Sequence, residues 1–293
     1  MPDLEFTGER FTPECEREIW YEHFHRYVFA TQLCRGARVL DAACGEGYGS
    51  ALLARQAASV TGVDISQEAI EHARQRYGGQ VNVEFDVADC TALPYPDGSF
   101  DRVVSFETVE HLESQQRLLE EFRRVLKPEG FLVLSSPDRV VYSEKQGFEN
   151  EFHVRELDRD ELEELVGAVF PAWRLLGQKL LFHSAIWAEG ENTRVDLSSA
   201  RSDGGIARGT VPHAPMYLIV LCAAGEEFLP VLEHDLWLFD DTGESVYRHY
   251  HHEIRKNMAA GGILAERDAE LEALRRRIED AARPWWRRLF PGG

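Results

Sequence analysis

The chain reads as an α/β protein built on a mainly parallel sheet, and three observations predict it. Residues 39–49, Val39-Leu40-Asp41-Ala42-Ala43-Cys44-Gly45-Glu46-Gly47-Tyr48-Gly49, run from an apolar strand straight into a glycine-rich turn. A second apolar strand, Val60-Thr61-Gly62-Val63-Asp64, ends in an acid 19 residues after Gly45. Short apolar segments then alternate with helical ones, the pattern of parallel strands joined by right-handed crossovers.

Each element follows in order. Ile19, Trp20, Phe24, Tyr27, Val28 and Thr31 recur at helical spacing within residues 14–34, predicting a helix that caps one side of the sheet. After the strand at Val39, the three glycines lack a Cβ, so the turn can take positive φ and let a ligand lie against the backbone. The helix from about Ser50 to Gln56 points unpaired N–H groups and its positive dipole end at whatever binds there. Asp64 stands where a ribose-binding carboxylate is expected. This pair fits either a dinucleotide or S-adenosylmethionine. Val81 to Val87 reads as a third strand, followed by Asp89-Cys90, and the turn-rich residues 93–101 lead into a fourth strand, Arg102 to Phe106. Glu107 to Leu112 precede a helix through about Leu126, the turn Lys127-Pro128-Glu129-Gly130 and a fifth strand, Phe131 to Ser135. Asp158 with Glu161 makes a capping-box start for a helix from about Arg159 to Ala168. Trp173 to Trp187 and Met216 to Cys222 read as two long β runs that pair antiparallel across an enlarged loop.

Over residues 36–225 this succession resembles the class I S-adenosylmethionine-dependent methyltransferases. The resemblance implies a Rossmann-like, seven-stranded, mainly parallel sheet with an antiparallel terminal strand pair. Asp41, Gly45 and Gly47 match the family's first motif, Asp64 with Ile65 its ribose side, and Asp89-Cys90 its adenine side; Tyr27 and Phe106 are further implied cofactor contacts. Ala43 replaces the usual glycine, which should narrow the loop without closing it. A closer resemblance rests on Thr7-Gly8-Glu9-Arg10-Phe11-Thr12-Pro13, Glu22 to Tyr27, Ala42 to Ser50, Ser105 to Leu112 and Glu151-Phe152-His153-Val154. Together these are similar to methyltransferases encoded with bacterial surface-polysaccharide (O-antigen type) enzymes, and imply a glycan or small-molecule acceptor methylated on a sugar hydroxyl.

Methyl transfer from a sulfonium mainly requires alignment of donor and acceptor, but a neutral hydroxyl also needs its proton drawn away. Glu107, Glu110 and His111 lie just past the fourth strand, and a helix there would place all three on one face. His111 is the candidate base, with Glu107 and His153 as further catalytic candidates. The same Glu107, Glu110, His111 triplet could instead hold Mg²⁺, as a like E-x-x-E-H arrangement does in similar methyltransferases of the ubiquinone pathway, or could simply be a capped loop. Arg10, His25 and Tyr27 are expected either to close over the methionine moiety of the cofactor or to contact an acidic acceptor.

Composition sets the remaining bounds. Thirty-two basic against 51 acidic residues give a net charge of −19, which repels a phosphate backbone and argues against nucleic acid as partner. Five cysteines with no C-x-x-C pairing suggest neither a disulfide framework nor a zinc site, and with an acid-bearing N-terminus they predict a cytoplasmic protein. The expected organisation is a covering segment at 1–35, the methyltransferase domain at 36–227, a helical extension at 228–282 and a Trp/Arg amphipathic tail at 283–293. Gly261-Gly262 is expected to interrupt the extension, and Leu264, Leu271 and Ile278, seven apart, suggest a homo-oligomer contact. Clustered His249, His251 and His252 read as a solvated face. Alternative readings are O-methylation of a quinone or polyketide phenol, an NAD-dependent oxidoreductase sharing the glycine turn and Asp64, and a non-catalytic adaptor on the membrane side.

The tail joins Trp285, Trp286, Leu289 and Phe290 to Arg283, Arg287 and Arg288, each arginine contributing about 1 kcal/mol at an anionic lipid surface. Flotation with anionic vesicles is expected to recover the full chain at low salt only, and to leave a chain ending at Ala282 in the soluble fraction. Equal behaviour of the two removes the tail as a peripheral membrane contact.

Overall fold

The computed structural model describes residues 18–147, 149–186, 195–202 and 205–282. The 7–13 motif with Arg10, and the 283–293 tail, lie outside the described residues. The chain divides into two units after Phe239.

In the first unit, five apolar segments form strands β1 (Arg38–Ala42), β2 (Ser59–Asp64), β3 (Val83–Val87), β4 (Phe100–Phe106) and β5 (Leu126–Pro137). They are joined in one seven-stranded sheet by β6 (Ala172–Gln178) and β9 (Tyr217–Ala223), in the order β3-β2-β1-β4-β5-β9-β6. All neighbours pair parallel except at β9, which runs antiparallel to both β5 and β6. Val39 faces Val60 on one side and Arg102 on the other, so β1 and β4 are adjacent although two strands separate them in sequence. The winding direction reverses between them, and the crevice beyond their carboxyl ends is where open α/β sheets bind ligands.

Helices α1 (Glu18–Leu33), α2 (Tyr48–Leu53) and α3 (Gln67–Tyr77) bury Phe29, Leu53 and Ile70 against Val39, Val60 and Val104 on one face. On the other face, α4 (Gln115–Val125) and α5 (Arg159–Val169) bury Leu118, Phe122, Leu162 and Val166 against Leu40, Val103 and Leu132. Consecutive residues Val39 and Leu40 thus feed opposite cores, as the period of two along a strand requires.

Three elements differ from the sequence expectation. β6 stops at Gln178 and does not run to residue 187: its last partner is Tyr217, and Pro215, pressed against Gly177, has no N–H to extend the ladder. The enlarged link carries a small hairpin of its own, β7 (Ser198–Ala200) with β8 (Ile206–Arg208). Residues 228–239, expected to begin the helical extension, instead pack Leu229, Leu232 and Trp237 on the first unit's core. In the second unit, α6 (Ser245–Ala282) is one 38-residue helix that passes through Gly261-Gly262 without a break. Two glycines cost only about 2 kcal/mol there relative to alanine, and the Ala-, Glu- and Arg-rich turns that follow sustain the helix. Among the described residues no helix is long and apolar enough to cross a membrane.

The start of α5 bears out the capping box. Asp158 Oδ1 accepts from Glu161 N–H at 3.0 Å, Glu161 Oε2 accepts from Asp158 N–H at 3.0 Å, and Arg139 bonds both carboxylates. Asp158→Ala is expected to cost about 1 to 2 kcal/mol and lower Tm by roughly 2 to 8 °C in a thermal melt, with the fold retained.

Candidate active site

At the end of β1 the chain turns through three residues in left-handed conformation, Ala43 (φ 58°), Gly45 (φ 56°) and Gly47 (φ 91°). Ala43 is the residue without a glycine's freedom, and its Cβ costs roughly 1 kcal/mol in this conformation. Gly49 is needed for a different reason: a Cβ there would lie 2.1 Å from the Tyr27 ring of α1. The turn is pinned from β2, where Asp64 Oδ2 accepts from Gly45 N–H at 3.0 Å and Oδ1 from Ser66 N–H at 2.8 Å.

Above the turn lies a cavity of about 390 Å³. Ala43, Cys44 and Gly45 form its floor, Asp64, Ile65, Asp89 and Cys90 one end, and Phe106, Glu107, Thr108 and His111 the other; His23 and Tyr27 from α1 and Tyr48 from α2 close it over. The structure therefore brings together Tyr27, Gly45, Asp64, Ile65, Asp89, Cys90, Phe106, Glu107 and His111. Carboxylates at one end suit ribose hydroxyls, the glycine turn suits close backbone approach, and the stretch between Tyr27 and Phe106 is aromatic, the two rings 5.0 Å apart edge to face.

Two of the expected cofactor residues sit elsewhere. Asp41 is fully buried beneath the turn, bonded by Ser50 Oγ at 2.6 Å and Tyr27 OH at 3.1 Å, and burial pushes its carboxyl up to about 7 against those two bonds. Gly47 faces α3, where a Cβ would lie 2.7 Å from that of Ala73. Both shape the turn from behind and neither lines the cavity. His25 also turns away: it stacks on Phe239 at 5.3 Å and faces a separate cavity of about 430 Å³ beside β6.

The expected common face for Glu107, Glu110 and His111 is not formed. Glu107 has φ 50°, which ends β4 abruptly, and only Val109–His111 make a short 3₁₀ turn. Glu107 accepts from Ser135 Oγ at 2.6 Å and lies 3.9 Å from the Arg26 guanidinium. Glu110 points inward, fully buried, and loss of water, then the nearby Glu107 charge, hold its carboxyl well above the usual range. His111 remains at the cavity edge, its Nδ1 against the Phe152 carbonyl at 3.0 Å. His153 is not in this cavity; it lines an adjacent groove with Arg139, Glu144, Asn150 and Glu156, its ring 5.0 Å from that of His111.

Arg26, His23 and Tyr48 escaped the sequence reading. The signal was present on α1, since His23 and Tyr27 stand four residues apart, one turn, on the same helix face. Arg26 is the larger omission. Wholly buried, it bonds Gln178 Oε1 at 2.8 Å and stands over the Tyr217 ring at 4.6 Å, while Tyr217 donates to Glu22 at 3.0 Å. Burial raises Glu22 to about 7, partly countered by Arg26 and the Tyr217 bond.

A family model described as "Methyltransferase domain" matches residues 40–134. A probable S-adenosylmethionine-dependent methyltransferase of Mycolicibacterium smegmatis is 37% identical over 215 residues, 72% of this chain and 78% of that one. The chain belongs to the S-adenosylmethionine-dependent methyltransferases. A similarly described protein of Mycobacterium tuberculosis is 40% identical over 166 residues, 56% of this chain, which spans only 60% of that relative's length. The crystal structure of the YcgJ protein from Bacillus subtilis, 20% identical, superposes with a TM-score of 0.50 over 68% of this chain and 97% of that one, which shows the shared fold. Family membership overturns the nicotinamide oxidoreductase reading.

The residues fit S-adenosylmethionine: the cavity, the left-handed turn and the carboxylates of Asp64 and Asp89 suit an adenosyl group and its ribose. Asp64→Ala is expected to weaken S-adenosylhomocysteine binding at least tenfold by calorimetry, since charge-assisted bonds to hydroxyls are worth about 1.5 to 3 kcal/mol each. Unchanged affinity removes Asp64 from the site. The raised Glu22 gives a pH test. A carboxyl held up in the folded state stabilises it below the ordinary value of 4.5, and that contribution is lost as pH rises through about 7. Glu22→Gln, which cannot ionise, should therefore gain stability over the parent chain between pH 5 and pH 8, by up to about 3 kcal/mol; a difference that is flat with pH contradicts the burial account.

Proposed function

We propose that this chain is an O-methyltransferase that carries the methyl group of S-adenosylmethionine to a sugar hydroxyl, in a bacterial surface glycan. The observation that carries this reading is the single cavity whose two ends differ: carboxylates and the glycine turn at one, His111 and Glu107 at the other. Asp64, Gly45 and Asp89 would hold the methyl donor, which supplies an activated methyl group, and His111 would draw the proton from an acceptor hydroxyl at the other end. Beyond His111, the groove of about 670 Å³ at His153 is lined by Arg139, Ser143, Glu144, Glu149, Asn150 and Glu156. Apart from the His153 imidazole, that lining is made of hydrogen-bonding side chains and Gly147, with no Phe, Tyr or Trp ring, which suits a polyol better than the flat ring of a quinone or phenol. The sequence motifs shared with surface-polysaccharide methyltransferases support the same acceptor class.

His111→Ala is expected to lower turnover by about 10² to 10⁴, the usual contribution of a side chain that activates a hydroxyl, while S-adenosylhomocysteine affinity stays within a factor of a few. Transfer of labelled methyl from S-adenosylmethionine should be measured with oligosaccharide and hydroquinone acceptors side by side. Labelling of hydroquinones alone, or His111→Ala with full turnover, overturns the proposal.

A further inference from the structure

Glu110, His111 and His153 form a cluster whose arrangement the binding of the methyl donor does not explain. One carboxylate oxygen of Glu110 and one ring nitrogen from each histidine lie within 4.8 Å of one another. Glu110 is fully buried, and neither of its oxygens has a hydrogen-bond partner among the described residues. A carboxyl group taken out of water with nothing to bond is costly enough that native proteins rarely keep one without a use.

Both imidazoles, moreover, are oriented from behind. His111 Nδ1 meets the Phe152 carbonyl at 3.0 Å, and His153 Nδ1 meets Glu156 Oε1 at 2.6 Å. A carbonyl and a carboxylate can only accept, so each Nδ1 carries a proton, and in the neutral ring each Nε2 is the nitrogen with the lone pair. A backbone carbonyl or carboxylate behind the ring is the usual setting of a histidine that ligates a metal. His153 Nε2 accepts from the Asn150 amide at 2.9 Å, a bond that ligation would replace. The two segments are also tied through the backbone: Val154 and Arg155 N–H donate to the Glu110 carbonyl at 2.9 and 3.0 Å, so the 3₁₀ turn after β4 and the 150–156 segment are held in register.

We propose that Glu110, His111 and His153 bind one divalent transition-metal ion, of the zinc, manganese or iron(II) class, where His111 at the cavity edge meets the adjacent His153 groove. Two imidazoles and one carboxylate suit these ions, whereas Mg²⁺ favours oxygen ligands and keeps its waters. The set differs from the triplet suggested by sequence spacing, because Glu107 turns to Ser135 and Arg26 and its place is taken by His153, 42 residues beyond His111. The inference rests on the proposed function and specifies it: His111 activates the hydroxyl as a ligand, and the ion's charge favours loss of the hydroxyl proton. The balance is that of ordinary methyl transfer. The acceptor oxygen forms a bond to the methyl carbon, the sulfonium–methyl bond breaks with its electron pair left on sulfur, and one proton goes to solvent.

The test is direct metal binding by the full chain, with His249, His251 and His252 changed to Ala to remove the histidine cluster on α6. After dialysis against a chelator, Zn²⁺ binding is followed by calorimetry, metal content by mass spectrometry, and Co²⁺ substitution by its visible absorption. The expected result is one ion per chain. Binding should be lost in His153→Ala and Glu110→Gln, retained in Glu107→Gln, and weakened about 10- to 100-fold in Glu156→Gln, which removes only the carboxylate behind His153. S-adenosylhomocysteine affinity of each variant checks that it has folded. No ion bound, or binding that His153→Ala and Glu107→Gln affect alike, overturns the inference. Because binding is read without turnover, a failed metal site leaves the sugar methyltransferase proposal standing, and a confirmed site with no labelled sugar leaves the metal site standing.

Discussion

A single carboxylate under the glycine turn organises the cofactor side of the molecule. Asp41, the fourth residue of β1, is out of reach of water and accepts from Ser50 on α2 and Tyr27 on α1. It thereby fixes three elements against one another: the strand that carries the turn, the helix whose N-terminus faces the cavity, and the helix that roofs it. The close approach of Tyr27 that this bond demands is also why position 49 has no side chain. An unpaired carboxylate in that position would be among the costliest groups in the core, so the two hydroxyls are a structural requirement and not an accessory.

The carboxyl edge of the sheet holds two non-glycine residues in left-handed conformation, Ala43 after β1 and Glu107 after β4. Adjacent strands thus end in strained turns that face one another across the crevice, and the cavity is the space between them. Strain of this kind persists where the surroundings over-determine it. At Ala43 the Cys44 N–H bond to the Val63 carbonyl at 2.8 Å does so; at Glu107 it is the pair of contacts to Ser135.

A second buried system links α1 to the Glu107 end of the cavity. Arg26 lies near both Glu22 and Glu107 and over the Tyr217 ring, so Glu107, at one end of the cavity, faces a guanidinium that solvent does not reach. This network joins α1 to β9 and β6 through Gln178, whose Nε2 donates to the Glu22 carbonyl at 2.9 Å.

The sequence by itself determined the α/β class, the strand sequence, the capping box of α5 and the glycine turn with the acid at the end of β2, because each of these is local: a glycine triplet, an acid at the end of a strand, a period of two or of 3.6. Asp64 was legible for that reason, whereas Tyr27, Asp89 and Phe106 were singled out through the family resemblance, and all four line the one cavity. Tertiary structure alone decided the rest. It placed Asp41 and Gly47 behind the turn, ended β6 at a proline 37 residues downstream of Gln178, and broke the supposed helical face of Glu107, Glu110 and His111 with one positive φ. It also put His153 beside His111, and Arg26 between two acids. These are contacts across 42 and 81 residues of chain, and no periodicity within a segment encodes which distant side chain the fold will bring to meet it.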